Sequence, residues 1–171
     1  MHNRHPPPHV RALEAHLGSR DVARVIYGAV LGLALVVALE RHPPTAGQTL
    51  GAVIATALAV GLAEVYSEFV GTEARERRHI GRAEVRRLAA EAVPVTFGAG
   101  FPALFFLLAA AGVIELQAAF TLAKWTGLAL ICAYGFLASR LAGSGSGAAL
   151  LHASAVGAIG GALIAVKALL H

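Results

Sequence analysis

The apolar residues of this chain are gathered into five blocks, near 22–39, 50–70, 93–114, 120–141 and 148–170, each long enough to cross a bilayer as a helix. A spanning helix needs about 20 mostly apolar residues. Lipid offers the backbone no hydrogen-bond partner, so each block must satisfy its own amides as helix. With 57% of its 171 residues hydrophobic and 14% charged, the chain has little left from which to build a soluble domain. The expected fold is all-α: an integral membrane bundle of five transmembrane helices covering 22–170. A basic tail containing histidine and proline, 1–21, precedes it, and an amphipathic helix on the cytoplasmic face, 71–92, interrupts it.

Arginine placement sets the expected topology, because short basic loops are retained in the cytoplasm. Arg4, Arg11, Arg20 and Arg24 precede or open the first block, Arg75, Arg77, Arg78, Arg82, Arg86 and Arg87 lie between the second and third, and Arg140 closes the fourth. The other side keeps Arg41, Lys124 and Lys167, with Lys124 beside Trp125 reading as an interfacial anchor. The N-terminus is therefore expected in the cytoplasm and the C-terminus outside, in a multi-pass protein of the cell membrane. The net charge of +4 follows from this bias and calls for no nucleic-acid partner. The first block reads as a retained helix rather than a cleaved signal, since Glu40-Arg41-His42-Pro43-Pro44 after it suits an interfacial turn.

Ionisable residues inside such blocks are costly and usually face protein or a water-filled path. Glu64 and Glu68 lie one helical turn apart near the cytoplasmic end of the second block, with Tyr66 directed elsewhere, about 160° from Glu68 at 100° per residue. Arg24, Arg140 and His152 are expected at a similar depth, giving a polar layer. His2, His5 and His9 surround Pro6-Pro7-Pro8, a composition that resists regular structure and offers loose metal ligands. Within 71–92, Glu73 with Arg77 and Arg87 with Glu91 have helical ion-pair spacing. Cys132 stands alone, so neither a disulfide framework nor a cysteine metal site is expected. The sequence has no phosphate-binding glycine loop, His-Glu-x-x-His zinc pattern or serine nucleophile elbow, and an enzyme is not expected.

Small residues recur at every fourth position of the second block, through Gly47, Gly51, Ala55, Ala59, Ala63, Ser67 and Gly71. The fifth block repeats the device with Ala149, Ala153, Gly157, Gly161 and Ala165, and the first carries Gly28 and Gly32. Such stripes let helix backbones approach closely where lipid gives no hydrophobic drive for association. The pattern alone leaves open whether they pack within one chain or between two. Pro102 is expected to kink the third block.

Arg24-Val25-Ile26-Tyr27-Gly28-Ala29 with Gly32-Leu33, Gly61-Leu62-Ala63-Glu64-Val65-Tyr66-Ser67, and Phe97-Gly98-Ala99-Gly100-Phe101-Pro102-Ala103-Leu104-Phe105 occur in that order. Gly135, Arg140, Leu141 and Gly143, then Gly157 to Gly161, close the series. Together they resemble the vacuolar iron transporter family over about 22–170. The resemblance implies a five-helix subunit, a homodimer, and exchange of divalent iron or manganese for protons through an intramembrane carboxylate, here Glu64. Glu68, Tyr66 and His152 are the further metal or proton candidates. The family's acidic residue in helix one is replaced by Val30-Leu31 and its helix-two methionine by Val60. Its glutamate-rich cytoplasmic arm is reduced to 71–92, where arginines outnumber acids.

Two readings of the carboxylates stay open. In one, Glu64 accepts a proton or a hard cation such as Fe2+ or Mn2+, which is then a substrate and not a resident cofactor. In the other, Glu64 or Glu68 pairs with Arg24 or Arg140 and fixes helix register in a membrane protein that keeps the fold without transporting.

Overall fold

The computed structural model describes residues 20–141 and 145–169, with the side chains of 20, 141, 152, 156, 159, 160 and 163–169 outside that description. All regular structure among these residues is helical: α1 Arg20–Leu39, α2 Ala46–Glu76, α3 Arg82–Glu91, α4 Val93–Gly100, α5 Ala103–Ala110, α6 Leu116–Leu141 and α7 Ser146–Leu169. α1, α2 and α6 are each long and apolar enough to cross a membrane, and the bent pair formed by Arg82–Gly100 and Ala103–Ala110 adds a fourth crossing if it counts as one span. The block at 148–170 falls on α7, most of whose second-half side chains lie outside the described residues, as does the tail at 1–19.

Local chemistry explains the boundaries. Thr45 caps α2: its hydroxyl accepts from the Gln48 amide while Gln48 Oε1 accepts from the Thr45 amide, a reciprocal capping box. Thirty-one residues make α2 about 46 Å long at 1.5 Å per residue, well beyond the thickness of a hydrocarbon core of about 30 Å. The helix stops at Arg77, which takes the left-handed conformation at φ 51°. The stretch 71–92 is accordingly not one amphipathic helix. It comprises the end of α2, a left-handed turn and the short α3. That turn also breaks the expected Glu73–Arg77 pair: Glu73 instead accepts from the Ile80 amide and meets His79 Nδ1, both at 3.1 Å.

The third block divides between Gly100 and Ala103, where its two halves are bent by 53°. Pro102 supplies the cause, since it has no N–H to donate and its ring crowds the carbonyl one turn back. α5 closes with Gly112 at φ 74°, the Val113 amide reaching back to Leu108 and the Gly112 amide to Ala109, which satisfies two terminal carbonyls.

α1 lies at the centre, packed by α4, α6, α2 and α7. Its seam with α4 is a backbone-to-backbone approach. A Cβ at Gly28 would collide with the Val95 carbonyl, one at Gly98 with the Val25 carbonyl, and one at Gly32 would stand 2.6 Å from the Ala99 carbonyl. Toward the other end, Val36, Val53, Phe106, Phe120 and Ala123 form one core cluster, with Phe106 and Phe120 edge to face at 4.9 Å between centroids. α7 lays Ala149, Ala153 and Gly157 against its neighbours, and a Cβ at Gly157 would come within 2.5 Å of Cys132 Sγ.

α2 behaves differently from α1. Its buried positions are Thr49, Val53, Ala57 and Gly61, whereas Gly51, Ala55, Ala59 and Ala63 of the small-residue stripe are exposed. The two series are offset by two residues, or about 160° around the helix. Within a single chain, the stripe faces away from the bundle. Gly161 of α7 likewise has no atom within 4 Å of a Cβ built on it.

Candidate functional site

Three helices bring charge together at the end of the bundle where α2 leaves it. Arg24 lies in the second turn of α1, Glu64 and Glu68 are successive turns of α2, and Glu91 is the last residue of α3. The guanidinium, 11% exposed, is the hub. Its Nε donates to Glu64 Oε1 at 3.0 Å, and one terminal nitrogen lies 3.5 Å from Glu91 and 3.9 Å from Glu68.

The acids are not equivalent. Glu64 is 26% exposed and makes the one contact at hydrogen-bond distance, while Glu68 and Glu91 are 34% and 39% exposed. Arg75 reaches Glu68 at 3.6 Å and Arg87 reaches Glu91 at 3.8 Å from more exposed positions. Three carboxylates are thus matched by three guanidinia, and the cluster carries no net negative charge to attract a dication. Charge-assisted contacts near Arg24 are the strong ones here, whereas the outer pairs face water and contribute little.

The other expected site residues lie apart from this hub. Tyr66 is 71% exposed on the outer side of α2. Arg140 donates to Ser146 Oγ at 3.1 Å across the α6–α7 connection, leaving Arg24 as the guanidinium that meets Glu64. His152 is on α7, with its side chain outside the described residues. Among the described residues, no three or more His, Cys, Asp or Glu side chains are grouped closely enough to hold a metal ion.

Glu91 was hidden by its spacing from Arg87, which makes it look like half of a surface pair. Its position supplies the signal that could have found it. It is the last charged residue before the apolar run that opens at Val93, the depth at which Arg24 enters α1.

A cleft of about 240 Å³ lies between α1 and α2, bordered by Tyr27, Leu31, Val60, Ala63, Glu64 and Ser67. It gives Glu64 access from the face that carries the small-residue stripe. At the other end of the bundle, Lys124 Nζ sits 2.6 and 2.9 Å from the two oxygens of Glu40, whose side chain is 7% exposed. Lys124 therefore ties α6 to the end of α1. Beyond the membrane-length helices, hydrogen bonding from Arg78 to Glu84, with the charges of Glu76 and Glu84, raises the Arg78 pKa and closes the α2–α3 turn.

No family model, curated protein or solved structure matches this chain.

Proposed function

We propose that the protein is a multi-pass cell-membrane bundle, similar in plan to a vacuolar iron transporter subunit, in which an internal arginine occupies the carboxylate site and the chain holds or joins membrane components without carrying metal. The contact of Arg24 with Glu64, Glu68 and Glu91 carries this reading. A buried or half-buried carboxylate needs a compensating cation. Arg24 supplies it, with a planar guanidinium whose donors suit carboxylate oxygens. A dication would have to displace a guanidinium tethered to α1. The missing helix-one acid at Val30-Leu31 and the missing methionine at Val60 remove ligands that could favour that exchange.

In this reading, five spans, with the N-terminus in the cytoplasm, place the hub at the cytoplasmic ends of α1, α2 and α3. Two copies associate through the exposed stripe Gly51, Ala55, Ala59 and Ala63. The cleft beside Glu64 favours a second reading, exchange of Fe2+ or Mn2+ for protons with Glu64 as the carboxylate ligand.

Proteoliposomes loaded with a metal-sensitive dye separate the two. The arginine-filled site predicts no Fe2+ or Mn2+ influx above protein-free vesicles, with or without a pH gradient. Influx through the native chain that disappears in Glu64→Gln would establish the transport reading instead.

A further inference from the structure

A second cavity, of about 490 Å³, runs down the opposite flank of α2 between α2 and α4. Its walls are apolar: Ile54, Leu58 and Val65 on α2, Phe97 on α4 and Ala89 on α3. Its floor is closed where Gly61 lets α2 approach Thr96 of α4 so closely that a Cβ would run into Thr96 Oγ1. From Ile54 to Val65 it runs along α2 for about 16 Å, which is half of a hydrocarbon core of about 30 Å. With the ionic hub at the cytoplasmic interface, the Ile54 end of the groove lies near mid-membrane. The other reaches Ala89, just before the ionic hub at Glu91.

The residues beyond that upper end are cationic. Arg82, Arg86, Ala89 and Val93 are spaced four, three and four apart along the nearly continuous Arg82–Gly100 segment, and so share the face that opens onto the groove. Every acid nearby is engaged by another group: Glu73 by His79 and the Ile80 amide, Glu76 and Glu84 by Arg78, Glu84 also by Arg87, and Glu91 by Arg24 and Arg87. Among the described residues, Arg82 and Arg86 have no carboxylate within ion-pair distance, and both are exposed. Two unneutralised guanidinia thus stand one and two turns above a slot one leaflet deep.

We propose that this groove and the two arginines form a binding site for an anionic phospholipid of the cytoplasmic leaflet, one acyl chain lying along α2 and α4 and the phosphate meeting Arg86 and Arg82. The occupant follows from complementarity at both ends: an apolar chain of leaflet length fills the slot, and a phosphate anion answers the surplus positive charge. A zwitterionic lipid fits the slot equally but brings its own cation to the arginines. The inference rests on the membrane reading above and is independent of whether Glu64 transports.

Native mass spectrometry of the full chain in neutral detergent, with phosphatidylglycerol or phosphatidylcholine of identical acyl chains added, tests it. Retention of phosphatidylglycerol is expected to exceed that of phosphatidylcholine by about thirtyfold, the factor two juxtamembrane arginines supply. R82Q/R86Q should bring the two lipids within about threefold of each other, while Arg41→Gln at the far end leaves the preference intact. Ala89→Trp, which fills the mouth, should lower retention of both lipids. Equal retention by the native chain, or a preference that survives R82Q/R86Q, overturns the site. Unchanged retention in A89W places the lipid elsewhere and also overturns it. Alkaline carbonate treatment of membranes from the same cells tests the underlying reading separately. Release of the chain overturns both, whereas equal lipid retention by a chain that resists extraction overturns the lipid site alone.

Discussion

Replacing Arg24 by glutamine should be the most damaging single change in the ionic hub, and the geometry sets its size. The 3.0 Å bond from Nε to Glu64 joins two charged groups, one of them 11% exposed, which places its loss at about 1.5–3 kcal/mol. The contacts to Glu91 and Glu68 are longer and involve acids more than a third exposed, so together they add about 0.5 kcal/mol. Arg24→Gln should therefore cost about 2–3.5 kcal/mol, because Glu64 loses its cation. Glu64→Gln should cost about 1 kcal/mol, since an amide oxygen still accepts from Arg24, which keeps two other acids. In a double-mutant cycle followed by reversible unfolding in mixed micelles, the coupling should be about 1–2 kcal/mol. The exposed Arg87–Glu91 pair should show less than about 0.5 kcal/mol. Coupling between Arg24 and Glu64 no larger than this surface pair's would refute the assignment of Arg24 as the hub.

The α1–α4 seam gives a second test: Gly98→Val should lower stability by about 1–3 kcal/mol, since its side chain would enter the space of the Val25 carbonyl and lie 2.8 Å or less from the Ala29 amide. Gly51→Val, with nothing within 4 Å of its Cβ, should leave unfolding of the single chain unchanged within about 0.5 kcal/mol. In a Cys132→Ser background, Ala59→Cys should crosslink two copies in membranes, and the same position combined with Gly51→Val should not; absence of any dimer band would remove the stripe as a contact between copies. A reporter fused after His171 should be active only on the outer side of the membrane, and cytoplasmic activity would contradict the five-span topology.

The membrane-length helices were legible because a block such as 50–70 cannot be hidden: a run of apolar residues announces helix and burial in lipid together. Which face of α2 packs was not legible. Its two small-rich series, Gly51-Ala55-Ala59-Ala63 and Thr49-Val53-Ala57-Gly61, are both compatible with a close approach, and the longer one faces outward. The choice depends on where α4 and α5 return, which Pro102 redirects by 53° and no local pattern encodes. Glu64 is legible because its charge conflicts with its apolar surroundings, and Arg24 is an expected partner for the same reason. Glu91 escaped because its role requires α3 to run on toward α4 and bring a residue beside the start of α1, a tertiary relation. The end of α2 is not legible for a local reason, since the left-handed position is held by Arg77 and no glycine signals the break.

Arg24 is proposed to occupy the carboxylate site in place of a dication. Electron paramagnetic resonance of Mn2+ titrated into the purified native chain at neutral pH tests this directly, because bound Mn2+ loses the sharp signal of the free ion. The free signal is expected to grow in proportion to added metal, identically for the native chain and Glu64→Gln. Stoichiometric loss of free signal in the native chain, restored by Glu64→Gln, would contradict it.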